Sequence, residues 1–142
     1  MSHAVERIVV FFETLTPQDL QRFEHYYTPD ATFKDPFHAV QGVAAIAAIF
    51  ARMFEDLLEP RFVVTGRIQQ GEQVVLTWDF HFRFRRFRPA QAQCIRGASL
   101  LLLAPDGRIR QHRDYWDAAE ELYEKLPLVG ALMRWLRRRA GG

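Results

Sequence analysis

Cysteine is almost missing from this chain: Cys94 is the one thiol in 142 residues. No disulfide can close within the chain, and no cysteine-based metal site can be built. That fits a reducing cytoplasm. Long apolar runs are missing too. None reaches the roughly 18–20 residues that span a bilayer. Residues Met1 to Arg7 lack a basic segment leading into an apolar stretch and a cleavage site, so no signal peptide is expected. Charge of one sign is scarce, with a formal net charge of +2. So small a bias gives no argument for a nucleic-acid partner. The five histidines, His3, His25, His38, His81 and His112, are scattered without metal-binding spacing, and no metal is expected. Gly-rich phosphate loops, a nucleophile elbow and a dinucleotide fingerprint are all absent. No cofactor is expected.

What is present is a globular balance, 49% hydrophobic and 25% charged residues, enough for one domain over residues 1–142. Twelve phenylalanines can line an apolar pocket as well as fill a core. Val5, Ile8, Val9, Phe12 and Leu15 recur at helical spacing. Thr16-Pro17-Gln18-Asp19 starts a second helix, with Thr16 as cap and Pro17 at the first helical position. Tyr27–Asp30 breaks it, and Ala31–Phe33 is a short strand ended by Asp35-Pro36. Gly42 opens a third helix that carries Ile46, Ile49, Phe50, Met53, Phe54, Leu57 and Leu58 on one side and ends at Pro60.

Beyond Pro60 the period becomes two. Strands are expected at Arg61–Gln69, Val74–Arg85, Cys94–Ala104 and Arg108–Trp116, joined as antiparallel hairpins by turns such as Pro105-Asp106-Gly107. A C-terminal helical extension is expected over about 117–139. Segregated helices and strands indicate an α+β fold: a curved antiparallel sheet with the N-terminal helices on its concave face. Such a cone has an open mouth suited to a ligand.

Two segments carry a family resemblance. One is Tyr26-Tyr27-Thr28-Pro29-Asp30-Ala31-Thr32-Phe33-Lys34-Asp35-Pro36, followed by Gly42 and a helix. The other is Asp106-Gly107-Arg108-Ile109 with His112-Arg113-Asp114-Tyr115-Trp116-Asp117. With the element order, residues 4–120 resemble the nuclear transport factor 2-like, or SnoaL-like, superfamily. That fold hosts isomerases, hydrolases, cyclases, dehydratases and binding modules. Similarity to ketosteroid isomerase implies a general base at Asp35. It places Phe11 and Ser99 where that enzyme has its oxyanion-hole tyrosine and aspartate. Similarity to limonene epoxide hydrolase implies a catalytic role for Asp114, with Asp79 as the partner aspartate. Thr77 stands at that enzyme's arginine position, and Phe33 and Asp35 stand where its water-holding tyrosine and asparagine lie. The resemblance also implies a homodimer.

Asp35 is either a base at a pocket mouth or a residue that shapes the turn before Pro36. His112, Asp114 and Trp116 alternate along one strand and share a face. At two residues' separation Asp114 is expected to orient His112 only indirectly, while both reach one ligand. Asp79 and His81 share the face opposite Trp78, Phe80 and Phe82, and enter the pocket only if that face is concave. An Asp79–Asp114 pair would make an acid/base dyad. Phe33, Phe50, Phe54 and Trp116 are candidate walls, and His38 and Ser99 candidate pocket residues.

The expected function is therefore acid/base chemistry on a small apolar molecule by Asp35 and Asp114: isomerisation, cyclisation, hydration or hydrolysis. A non-catalytic binding or homodimeric scaffold module is the alternative. Arg83, Arg85, Arg86 and Arg88 read as a solvated strand end rather than a nucleic-acid surface. The apolar and basic segment Leu126–Arg139 reads as packing on the body, with contact to an anionic membrane the other possibility.

Overall fold

The computed structural model describes residues 2–121, 135–136 and 138–141. The expected C-terminal helix from Pro127, and with it both its expected packing on the body and the alternative of a membrane contact, falls mostly outside these residues. Trp135 and Leu136 are described and lie exposed. No helix among the described residues is long and apolar enough to cross a membrane.

Helix α1 runs His3–Glu13, and the Ser2 hydroxyl accepts the Val5 N–H at its start. Its residues Val5, Ile8, Val9, Phe11 and Phe12 are buried. The second helix, Pro17–His25, is 3-10 rather than α. Asp19 Oδ2 accepts both the N–H and the hydroxyl of Thr16 at its start. Helix α2 spans Val43–Asp56 and turns Ile46 and Phe50 into the core. Shortening Ile46, which is fully buried, to alanine costs about 2–5 kcal/mol by loss of burial and a residual cavity.

The strands are β1 (Tyr27–Lys34), β2 (Ala39–Gln41), β3 (Leu57–Gln70), β4 (Gln73–Phe84), β5 (Gln93–Leu103) and β6 (Ile109–Tyr115), followed by a short helix α3 (Ala118–Glu121). They form one curved, unclosed sheet in the order β2-β1-β6-β5-β4-β3. The α+β fold is as expected, but the sheet differs in detail. Strand β1 pairs with β6 in parallel, because the chain enters the sheet at β1 and returns beside it only after building the β3–β6 meander. Strand β2, too short to show a period, was not expected.

Helix α2 stops at Asp56, since Leu57 is already extended with φ −117° and ψ 149°. Pro60 therefore lies inside β3 rather than ending a helix. It sits at a register irregularity between Leu58 and Arg61, next to Glu59 with φ 50°. An edge strand tolerates this, because a missing N–H there breaks no ladder on the outer side.

The alternation along β4 decides which face is concave. Val74, Leu76, Trp78, Phe80 and Phe82 are buried, and they turn toward α1 and α2. Asp79 and His81, one step out of phase, face the other side of the sheet.

A carboxylate at the floor of an aromatic cavity

Between α2 and the concave face of the sheet lies a cavity of about 720 Å³. Phe62, Trp78, Phe80 and Phe82 line it from the sheet, and Ile49, Phe50 and Met53 from α2. Phe33 and Trp116 add walls from the opposite flank. Asp114 and Asp35 line the same cavity, as does His38. Phe54 does not. It lies about 40° further around the helix than Phe50, which takes it off the face that α2 turns toward the sheet.

Asp114 is positioned by sheet register. It sits directly across from Ser99 in the β5–β6 ladder, and His112 lies across from Leu101 on one side and Phe33 on the other. His112 and Asp114 are two apart on one strand and so share a face. His112 Nε2 and Asp114 Oδ1 are 2.7 Å apart. The contact is direct, where sequence separation suggested an indirect one: the imidazole reaches along the strand to the next side chain on its own face. On the other side of the ring, Nδ1 is 2.7 Å from the Tyr27 hydroxyl. Ser99 Oγ donates to Asp114 Oδ1 at 2.5 Å and accepts Trp78 Nε1–H at 2.9 Å.

Tyr27 is completely buried, and burial, reinforced by the negative charge of Asp114, pushes its hydroxyl well above the ordinary tyrosine value of 10.0. Tyr27 thus stays a neutral phenol and shares one hydrogen bond with Nδ1. Nε2 faces a carboxylate oxygen, which can only accept, and so donates to Asp114. The Trp78–Ser99 branch runs the same way. Two chains of hydrogen bonds end on Asp114 Oδ1, and among the described residues no hydrogen bond reaches Oδ2. The side chain of Asp114 keeps 14% of its accessibility, against 3% for His112. His112 therefore lies beneath the carboxylate and does not line the large cavity. A small chamber of about 20 Å³, lined by His112, Ser99, Asp114, Trp78 and Phe12 among others, adjoins the large one at Phe62, Trp78 and Asp114.

Gly97 makes the Trp78 branch possible. It is the cross-strand partner of Trp78, and a Cβ there would stand 2.5 Å from Trp78 Cη2. Only a residue without a side chain lets the indole lie flat over the strand and aim Nε1 at Ser99.

Asp35 lines the same cavity from the turn that follows β1. Its Oδ1 accepts the backbone N–H groups of Phe37 and His38 at 2.8 and 2.7 Å, and lies 2.9 Å from His38 Nδ1. It shapes the turn and also lines the cavity. Phe11 stacks on Tyr26 at 3.8 Å between ring centroids, away from the cavity, and its neighbour Phe12 reaches the floor against His112.

Asp79 and His81 require correction as pocket residues. Both belong to the convex face of β4, and the Asp79–Asp114 dyad is not formed. The acidic centre has a histidine, a serine and, at one remove, a tyrosine and a tryptophan instead. The sequence reading missed Tyr27 and most of the phenylalanine lining. Tyr27 carried one available signal, a polar aromatic within an otherwise matching family segment. Among the described residues no group of His, Cys, Asp or Glu side chains gathers so as to hold a metal ion.

The model of the SnoaL-like domain matches residues 8–112. No curated protein matches the chain by sequence. Among solved structures, a hypothetical protein with a ketosteroid isomerase-like fold from Catenulispora acidiphila, in complex with trimethylamine, superposes with a TM-score of 0.72 at 16% identity, over 86% of this chain and 91% of that one. A proposed SnoaL-like polyketide cyclase from Jannaschia gives 0.69 at 24% identity, over 82% and 87%. An epoxide hydrolase of the LEH-like type from M. tuberculosis gives 0.67 at 16% identity, over 93% and 88%. At these identities the likeness is one of fold.

Proposed function

The chain belongs to the SnoaL-like domain family, and from that premise we propose that it binds a small, largely apolar molecule in the cavity and acts on it by cofactor-independent acid/base chemistry centred on Asp114. The observation that carries this reading is the carboxylate itself. It stands at the floor of an aromatic chamber, fixed through one oxygen by His112 and Ser99, with the other oxygen left to a ligand. A base held in this way loses no energy to reorganisation when it takes a proton, and the apolar walls keep bulk water from competing. His112 stabilises the charge of Asp114 before transfer and orients it throughout. Asp35, with His38 beside it, is the second proton-handling group on the same cavity.

The small chamber beside Asp114 has room for one water molecule, so the same carboxylate serves hydration or hydrolysis as well as proton abstraction next to a carbonyl. The fold neighbours, which include an LEH-like epoxide hydrolase and a proposed polyketide cyclase, support both kinds of chemistry. The same reading includes a homodimer built on the convex sheet face, where Tyr115 is 47% exposed, and a reducing cytoplasmic location.

The test is exchange of carbon-bound protons in deuterium oxide, followed by NMR over a panel of cyclic and aromatic ketones. Turnover or exchange that disappears in the Asp114→Asn, Asp35→Asn double variant supports the mechanism. Activity unchanged in that variant removes both carboxylates from it.

A further inference from the structure

The four arginines around the end of β4 have unequal employment. Arg85 is tied to the end of α2, donating to the carbonyls of Glu55, Phe54 and Leu57. Arg83 donates to the Pro89 carbonyl and lies 3.4 Å from Glu59. Arg88 stands over the ring of Phe87. Arg86 alone among them lines the large cavity, and among the described residues it makes no hydrogen bond, ion pair or ring contact.

Arg52 on α2 repeats the pattern from the other wall. It lines the cavity, is exposed and has no partner among the described residues. Asp56, four residues on and also at the rim, forms no ion pair with it, although that spacing allows one on a helix. Of the remaining acids at the cavity, Asp35 is engaged by His38 and two backbone N–H groups, and Asp114 is at the floor. The rim thus carries two unengaged guanidinium groups against one carboxylate, above walls built of phenylalanine.

We propose that the ligand of this cavity is an apolar molecule bearing one anionic group of the carboxylate type. Its hydrophobic body lies against the phenylalanines, and its anionic end is held at the mouth by Arg52 and Arg86. This rests on the reading of the cavity as the ligand site and adds the chemical class of the ligand. Guanidinium groups suit a planar carboxylate, which they bind through paired hydrogen bonds. The arrangement also sets direction, since a ligand gripped by its charge at the rim presents its far end to Asp114.

A matched pair of fluorescent probes tests this with the full chain: 1-anilinonaphthalene-8-sulfonate, which is anionic, and N-phenyl-1-naphthylamine, the same ring system without the charge. Arg52→Gln and Arg86→Gln should each weaken the sulfonate about fivefold, the value of a partly exposed ion pair of about 1 kcal/mol. Neither should change binding of the uncharged probe. Added salt should weaken the sulfonate in the parent chain and lose that effect in the double variant. If both probes bind and the sulfonate ignores the arginines, the anionic-ligand inference fails while the cavity reading stands. If neither probe binds, both fail. Because both arginines are exposed, unchanged circular dichroism in the variants separates loss of charge from loss of fold.

Discussion

His112 and Asp114 lie two residues apart on β6 and are hydrogen bonded to each other, Nε2 to Oδ1. A strand puts such residues on one face but ordinarily lets them stand side by side. Here a second bond, from Tyr27 to Nδ1, holds the ring turned along the strand. The orientation of the carboxylate therefore depends on a residue of β1 that does not line the cavity.

The first expectation concerns Asp114 alone. Asp114→Asn keeps the size of the side chain and an oxygen for His112 and Ser99, but removes the base. Turnover should fall by about 10²–10⁴-fold, the usual worth of a positioned general base, with thermal unfolding shifted by only a few degrees. A rate unchanged within a factor of two would dismiss Asp114 as the proton acceptor.

Tyr27→Phe removes the hydrogen-bond partner of a buried imidazole nitrogen. Leaving that nitrogen unsatisfied should cost about 1–3 kcal/mol, read as a lower midpoint in urea denaturation. A loss below about 0.5 kcal/mol would mean that the bond to His112 contributes little.

The same tyrosine gives a dependence on pH. Its pKa is raised in the folded protein, so the unfolded chain loses this proton first as the solution becomes alkaline. The stabilisation is complete below the ordinary value of 10.0 and declines as pH rises past it, by at most about 1.4 kcal/mol per pH unit. Unfolding curves of the parent chain and Tyr27→Phe should converge above pH 10. Parallel curves throughout would contradict the buried, neutral hydroxyl.

Gly97→Ala should displace Trp78 and break its bond to Ser99. The expected signs are a red-shifted tryptophan emission and destabilisation of about 1–3 kcal/mol, the range for overpacking. Ser99→Ala should expose the same dependence from the other end by leaving Trp78 Nε1 without its acceptor. If Gly97→Ala leaves both emission and stability as they were, the close approach of the indole is wrong.

Asp79→Asn and His81→Gln, on the convex face, should leave probe binding and turnover as they are in the parent chain. A loss of either on substitution would reverse the assignment of the two faces of β4.

Much of this was legible in the sequence. The strict alternation of Val74 to Phe84 marked a strand with one apolar face, and the Ile46–Met53 spacing marked the helix that faces it. Which face is concave was not legible, because period two separates two faces without saying which one the helices cover. His81 was a candidate for that reason, and Asp79 for that reason together with its place in the epoxide hydrolase resemblance. Asp35 and Asp114 were found through short family-like segments, yet nothing in their spacing gives the distance between them. The His112 contacts depend on the parallel pairing of β1 with β6, a register between segments about 80 residues apart. The end of α2 was misjudged because Pro60 usually stops a helix, whereas here it occupies an irregular edge strand.

That parallel pairing also bears on how the molecule comes into being. Tyr27 and His112 are 85 positions apart, and closing so long a loop must precede any reward from the bond they make. Helices and hairpins can form early from neighbouring residues, but the floor cannot. A chain still emerging from the ribosome holds Tyr27 long before it holds His112, and its concave surface stays greasy and incomplete for the whole of that interval. The floor around Asp114 is thus the last part of the cavity to assemble, and the first to come apart when β1 and β6 separate.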